Sequence, residues 1–503
     1  SKAPDIDATW QEHHLRDAAA TAGPRYSSAV SMGTPLHDVF EALGGTAAWS
    51  QGVLGRRREL SKLLKRFREG VETKSSTGWG TAFPEHLRAD GRALVEQVEG
   101  VNQALIAIAA IAEDASPATT ATSIRGILPK ARELAAALRG DIEGQHGKGA
   151  TDNAGFRQFQ AEYQMAFPMA NLDLTNELVQ SLEELHAWCD SGPGRASNSK
   201  NGVLLLGDAG VGKTHGICDI GYDRMHRGLF TVVLFGEHFA SAEEPWERIR
   251  QLLGFPPTSR DQLLGALDAA TAASGAPLLL CIDGLNETRP RTYWRSWLAS
   301  FVTQVAQHPN IRLCISCRST YEGLVVPQGH GLDRVEHVGF AGMEFTACRH
   351  FFEHYGLEPP IAPSFHPEFS NPLFLRLACE TLQASGERRM PTGWRGLATV
   401  IQAFLREKNK AFAWEFEGNE RDRVPQLALR EFIGEAERLR RVYLGWSEAS
   451  RVVNRGQPSG MTGSTVLDWL VNAGLMIVDA DPTGGPDSEE VVRIAFERFG
   501  DHL

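Results

Sequence analysis

The sequence predicts a multidomain protein, α/β in its middle and α-helical around it, on three observations. An apolar run of strand length, Val203 to Leu206, leads into a glycine-rich turn and then a helical pattern. Four more strand-like runs alternate with helical stretches up to about residue 342, and strand–helix alternation gives a parallel sheet with helices on its faces. The segments on either side carry apolar residues at helical spacing.

At 503 residues the chain has room for about three domains, each able to bury its own core. A net charge of −11 speaks against a surface given over to nucleic acid or anionic membrane. The cysteines at 189, 218, 281, 314, 317, 348 and 379 follow no framework spacing, which predicts buried thiols in a reducing compartment. The longest apolar stretch, Ala104 to Ala112, is too short to span a bilayer, and the polar start lacks a signal-peptide pattern. The expected location is therefore cytoplasmic, with no membrane partner. A chain that starts at Ser1 rather than Met and stops at His502-Leu503 reads as a piece of a longer protein.

Taken in order, residues 1–54 mix Gly, Pro, Ser and Thr and read as a linker or N-terminal segment. From Arg56 the pattern is helical: Leu60, Leu63, Leu64 and Phe67 share one face, and further stripes run to Leu185, which predicts a helical bundle over 55–190. The breaker-rich joint Ser191 to Lys200 opens an α/β domain, 191–342. Its strands are expected at Val203–Leu206, Phe230–Phe235, Leu278–Ile282, Ile311–Ser316 and Arg334–Val338, and Ser259 with Gln262 forms a capping box before a helix. Residues 343–424 read as a helical lid. Residues 425–503 read as helices followed by a hairpin, a winged-helix pattern; with no basic recognition helix, protein contact is expected there rather than nucleic acid.

Chemistry enters at Gly207 to Thr214, which reads G-x-x-x-x-G-K-T directly after the first strand and before a helix. This is the phosphate-binding loop pattern, in the context that pattern requires. Gly207, Asp208, Ala209, Gly210, Val211 and Gly212 can aim backbone N–H groups at one anion, and the following helix adds the partial positive charge of its N-terminus. Lys213 is placed to reach the β- and γ-phosphates, Thr214 to offer its hydroxyl to Mg²⁺, and His215 follows in the same turn. The strand LLLCIDGLNE delivers Asp283, expected to hold the metal shell together with Thr214, and Glu287, expected to orient the attacking water. In a P-loop NTPase sheet of order 5-1-4-3-2, the strand ending at Arg318 lies between those of Lys213 and Asp283. Arg318 would then face the γ-phosphate. Cys314-x-x-Cys317 and His350-Phe-Phe-Glu353-His354 resemble metal patterns, but the cysteines point to opposite faces of a strand and the second motif lies on the lid.

Together, Gly207 to His215, Leu278 to Glu287, Cys317-Arg318-Ser319-Thr320 and Asn371-Pro372-Leu373-Phe374-Leu375 resemble the STAND class of signalling NTPases. Ala22-Gly-Pro-Arg-Tyr26, Leu234 to Phe239 with Pro245-Trp246, and Phe496 to Leu503 make the chain similar to the bacterial antiviral STAND (Avs) NTPases. The resemblance implies ATP or ADP and Mg²⁺ as ligands, Pro372 at the adenine and His502 at a phosphate. It implies a switch that forms oligomers of itself once a sensor domain meets a phage protein such as terminase or portal, and that brings effector domains together. Neither effector nor sensor repeats are found here, so the chain resembles the central switch of such a protein. Two rivals stand beside it: an AAA-like ATPase acting on DNA, and a nucleotide-bound scaffold without turnover.

Overall fold

The computed structural model describes residues 6–73, 83–110, 116–146, 154–239, 243–271, 274–360, 367–390, 393–458, 461, 463–481 and 488–495. Contacts divide the chain into two units, residues 35–200 and residues 1–34 with 201–503. The boundaries therefore fall after Thr34 and Lys200, where the sequence alone places them at 54 and 190. The bundle reaches 35 and 200 because the helices Pro35–Leu43 and Gly192–Asn198 pack on each other, and residues 1–34 leave it with the helix Ala8–Ala22, whose apolar face buries Leu15, Ala18 and Ala22. Its alanine-rich stretch carries too weak a stripe to announce that face.

In the unit 35–200 the described helices are Pro35–Leu43, Ala47–Glu72, Arg88–Ala109, Pro117–His146, Ala154–Cys189 and Gly192–Asn198. Most of the stripes read from the sequence are buried: Leu60, Leu64 and Phe67 on one helix, with Leu63 partly exposed, Leu94, Val98, Val101 and Leu105 on the next, then Leu134, Leu138, Leu178, Leu182 and Leu185, with Leu174 partly exposed. A polar pair joins two of these helices, the Ser61 hydroxyl donating to Asn102 Oδ1 at 2.8 Å.

The other unit is built on a parallel sheet of five strands, β1 (Gly202–Gly207), β2 (Thr231–Phe235), β3 (Leu278–Asp283), β4 (Ile311–Arg318) and β5 (Asp333–Glu336), in the spatial order β2-β3-β4-β1-β5. β1 and β3 are buried at every position. A strand covered on both faces has no polar side to show, so it reads as an unbroken apolar run. One face, with Leu204, Leu280, Ile282, Leu313 and Ile315, packs on the helices Pro245–Leu252, Arg260–Thr271 and Tyr293–Val305 around Trp246, Leu264 and Trp294. The capping box is present: Ser259 N donates to Gln262 Oε1 at 3.0 Å and Gln262 N to Ser259 Oγ at 3.3 Å.

The free edge at β2 is covered by side chains of the helix Ala8–Ala22. Gln11 Nε2 donates to the Thr231 carbonyl at 3.1 Å, Thr231 N donates back to Gln11 Oε1 at 3.3 Å, and Val233 N donates to His14 Nε2 at 2.9 Å. Two residues one helical turn apart thus take the place of a sixth strand and satisfy an edge that would otherwise be open to pairing.

Beyond the sheet the chain is helical (Glu344–His354, Pro372–Ala384, Gly393–Glu415) and ends in the helices Val424–Arg438, Trp446–Val453 and Val466–Asn472 with three short strands. These strands, β6 (Leu444–Gly445), β7 (Met476–Asp479) and β8 (Val491–Ile494), form an antiparallel sheet in the order β6-β8-β7. Phe351, Phe374, Phe412, Phe432, Trp469 and Val492 share one core, so the helices after residue 343 and the small sheet are packed as one body. Among the described residues no helix is long and apolar enough to cross a membrane.

Candidate functional site: a phosphate loop at the sheet's carboxyl edge

β1 ends at Gly207, and the chain turns through Asp208, Ala209, Gly210, Val211 and Gly212 into the helix Lys213–His226. Gly210 and Gly212 have φ of 79° and 95°, a region costly for residues with a Cβ. A Cβ on Gly210 would also be crowded, 3.3 Å from Asn371 Oδ1, while one on Gly212 would meet Pro372 Cγ at an ordinary contact distance of 3.4 Å. The start of the helix Pro372–Ala384 therefore rests on the loop. Asn371 caps that helix by accepting from Leu373 N at 2.9 Å, and Pro372 is brought to the glycines that would meet phosphate.

Lys213 Nζ donates to the carbonyls of Gly207 at 2.6 Å and Asp208 at 2.9 Å, so the ammonium is folded over the loop. Burial pushes its pKa down to about 8, Arg318 adds to the fall, and Asp283 works against it. Thr214 Oγ1 donates to Asp283 Oδ2 at 2.6 Å. The buried carboxylate has a second partner, the Ser316 hydroxyl on β4, which in turn accepts from Gly284 N at 2.8 Å. Ser316 is adjacent because β3 and β4 pair with Ile282 opposite Ile315. The oxygens of Thr214 and Asp283 are hard donors of the kind that Mg²⁺ takes, often through retained waters.

After Asp283 the chain turns at Gly284, with φ 74°, into the short turn Leu285–Glu287. Glu287 is bonded by Arg25: NH1 lies 3.1 Å from Oε2 and 3.3 Å from Oε1. Burial raises the pKa of this carboxyl group, Arg25 opposes the rise, and Asp283 reinforces it. Arg318, the last residue of β4, bonds through its backbone N–H to Asn286 Oδ1 at 3.1 Å and through its side chain to the carbonyl of Val478 on β7 at 2.8 Å. Beside it the Thr320 hydroxyl donates to Asp479, and Tyr321 OH donates to Glu490 Oε1 at 2.8 Å.

Lys213, Thr214, Asp283, Glu287 and Arg318 thus come to the carboxyl ends of β1, β3 and β4. His215 turns instead to the N-terminal segment, with the ring of Tyr26 at 5.3 Å and the backbone N–H of Ser27 at 3.5 Å; burial lowers its pKa. His502 lies outside the described residues. Of the two metal-like motifs, Cys314 lies opposite Cys281 in the β3–β4 register with its thiol pushed well up, and Glu353 takes Arg349 of its own helix.

Four residues at the site escape sequence reasoning about roles. Ser316 had no signal, because only strand pairing puts it beside Asp283. Buried His337, with its pKa lowered to about 4 by burial and Lys213, follows β5 and donates its backbone N–H to the Leu206 carbonyl at 2.8 Å. Arg25 and Tyr26 had one, the stretch Gly23-Pro-Arg-Tyr26, which sequence reading used only for resemblance.

No model of a known protein family matches this chain, and no curated protein matches it. Solved structures do. The chain is similar to Cdc6p from Pyrobaculum aerophilum at 13% identity and a TM-score of 0.26, covering 59% of this chain and 84% of that one. It is similar to the Aeropyrum pernix Orc1 protein in complex with DNA at 12% identity and a TM-score of 0.31, over 59% and 84% of the two chains. It is also similar to Drosophila ORC bound to DNA at 13% identity and a TM-score of 0.26, over 64% and 94%. At such scores the likeness carries no argument about chemistry or partners. The chain's own sheet and loop describe a P-loop NTPase-like α/β fold.

Proposed function

We propose that this chain is an ATP-binding and slowly ATP-hydrolysing switch of the STAND type, the central part of an anti-phage signalling protein. In this reading Gly207 to Gly212 and Lys213 hold the phosphates, Thr214 and Asp283 hold Mg²⁺, and Glu287 orients the attacking water. Mg²⁺ would neutralise phosphate charge and polarise the γ-phosphoryl group. Pro372 borders the base, and residues 425–503 are a winged helix that makes protein contacts. A sensor domain outside this chain would meet a phage protein, and the opened form would assemble with copies of itself to bring effector domains together.

The observation that carries the switch is Arg318, whose guanidinium shares an electrostatic field with Lys213 and Glu287 while bonded to the Val478 carbonyl. A phosphate oxygen is a stronger partner for guanidinium than a neutral carbonyl. A γ-phosphate would therefore compete with β7 for the same side chain, and a few kcal/mol of such differential binding is enough to shift a two-state equilibrium.

The test is calorimetry with ATP and Mg²⁺ on the chain and its Lys213→Ala variant, followed by mass measurement with and without candidate phage proteins. Uptake by the parent chain, strongly weakened in the variant, is expected. Turnover should fall in Glu287→Gln and should not depend on DNA; strong stimulation by DNA alone would count against the switch.

A further inference from the structure

The roles proposed above leave Arg25 without one, although it is the residue that holds Glu287. Its NH1 reaches both carboxylate oxygens, at 3.1 and 3.3 Å. The carboxylate is backed on another side by Gly284, where an added Cβ would lie 3.0 Å from Glu287 Cδ. Glu287 therefore lies between the Gly284 backbone, with φ 74°, and a guanidinium.

Arg25 is itself anchored. Nε donates to the Ala22 carbonyl at 3.3 Å, NH2 lies 3.9 Å from Glu237, and the guanidinium sits over the Phe235 ring, 5.6 Å from its centroid. The helix that ends just before it is bonded to β2 through Gln11 and His14. The charged groups acting on Glu287 are Arg25, Asp283 and Arg318.

A carboxylate that orients water must accept a hydrogen bond from it, and a charge-assisted bond from arginine competes for the same lone pairs. We propose that Arg25 is a latch on Glu287: it occupies the water-orienting carboxylate, and turnover comes from the molecules in which this pair is open. The latch rests on the ATPase reading above. Arg25 is a positioning residue, and it makes the N-terminal segment a brake on the site.

The experiment compares the full chain with Arg25→Ala, Arg25→Gln, Glu287→Gln and the Arg25→Ala/Glu287→Gln double variant. Mg²⁺-dependent ATP turnover and the Kd for a fluorescent ATP analogue are read for each, and thermal midpoints are read without nucleotide. Opening a half-exposed, charge-assisted bond should raise kcat about tenfold and leave Kd within about threefold. The gain should vanish in the Glu287→Gln background, and the midpoints should show coupling between the two positions. The glutamine variant preserves much of the side chain if alanine fails to fold. An unchanged or lowered kcat with Kd retained overturns the latch and leaves the ATPase reading standing. So does an equal rise in the Glu287→Gln background. A parent chain that takes up no ATP overturns both, and is recognised by the missing Kd before any variant is made.

Discussion

The guanidinium of Arg318 donates a hydrogen bond to the carbonyl of Val478 at 2.8 Å, joining the end of β4 to a strand 160 positions further along the chain. The neighbouring bonds from Thr320 to Asp479 and from Tyr321 to Glu490 make this a clasp rather than a single contact. Arg318→Ala removes the member whose charge also acts on Lys213. A bond from a charged donor is worth about 1.5–3 kcal/mol, so hydrogen exchange over 474–481 should speed up in the variant. ATP with Mg²⁺ should have the same effect on the parent chain and little further effect on the variant. Equal exchange with and without ATP would show that the clasp does not sense nucleotide.

Lys213 should make nucleotide affinity depend on pH on the alkaline side. Burial brings its pKa from 10.5 down to about 8, and only the charged amine pairs with phosphate. Above that value the free protein loses the proton, and binding must restore it. The Kd for ATP should therefore weaken by roughly tenfold per pH unit above about 8, and stay flat below. Lys213→Ala, titrated in the same buffers, should show weak binding and no such slope.

His14 gives a second pH dependence, of opposite sense and on the acidic side. It accepts from Val233 N through Nε2, and burial lowers its pKa from 6.5 to about 4. Between these values the detached helix takes up a proton that the docked one excludes, so docking weakens as pH falls through this window. The change corresponds to roughly 3 kcal/mol at full protonation. Exchange of the β2 amides Thr231 and Val233 should rise below about pH 6, and His14→Gln should flatten the response.

Gly236 and Gly265 should respond to alanine in opposite directions. A Cβ on Gly236 would lie 2.0 Å from the Gly284 carbonyl oxygen, a backbone atom that cannot step aside. Gly236→Ala should destabilise by about 3 kcal/mol or more, and should disturb Glu287 through Gly284. Gly265, inside the helix Arg260–Thr271, has open space where its Cβ would be. Gly265→Ala should stabilise by about 0.5–1 kcal/mol, and denaturant midpoints measure both.

Much of the site is legible before folding because its signals are local. The strand before Gly207, the glycines that permit φ of 79° and 95°, and the lysine at the helix start fall within a dozen residues. Asp283 is legible for the same reason, since an apolar run ends on it. Arg25 is not, because its partner Glu287 is 262 positions away and its own neighbourhood carries no periodic signal. Ser316 fails similarly: a serine at a strand end acquires meaning only from the strand beside it.

By itself the sequence determined the five strands, the phosphate loop and the helical stripes between Leu60 and Leu185. Each is written in spacing over a few residues, where backbone sterics and side-chain burial act directly. The tertiary structure alone decided that the helix Ala8–Ala22 closes the sheet edge, that Arg25 takes Glu287, and that Arg318 takes Val478. Those pairings join residues far apart in the chain, and they exist only once the cores on both sides of the sheet have fixed which strand ends and helix ends meet.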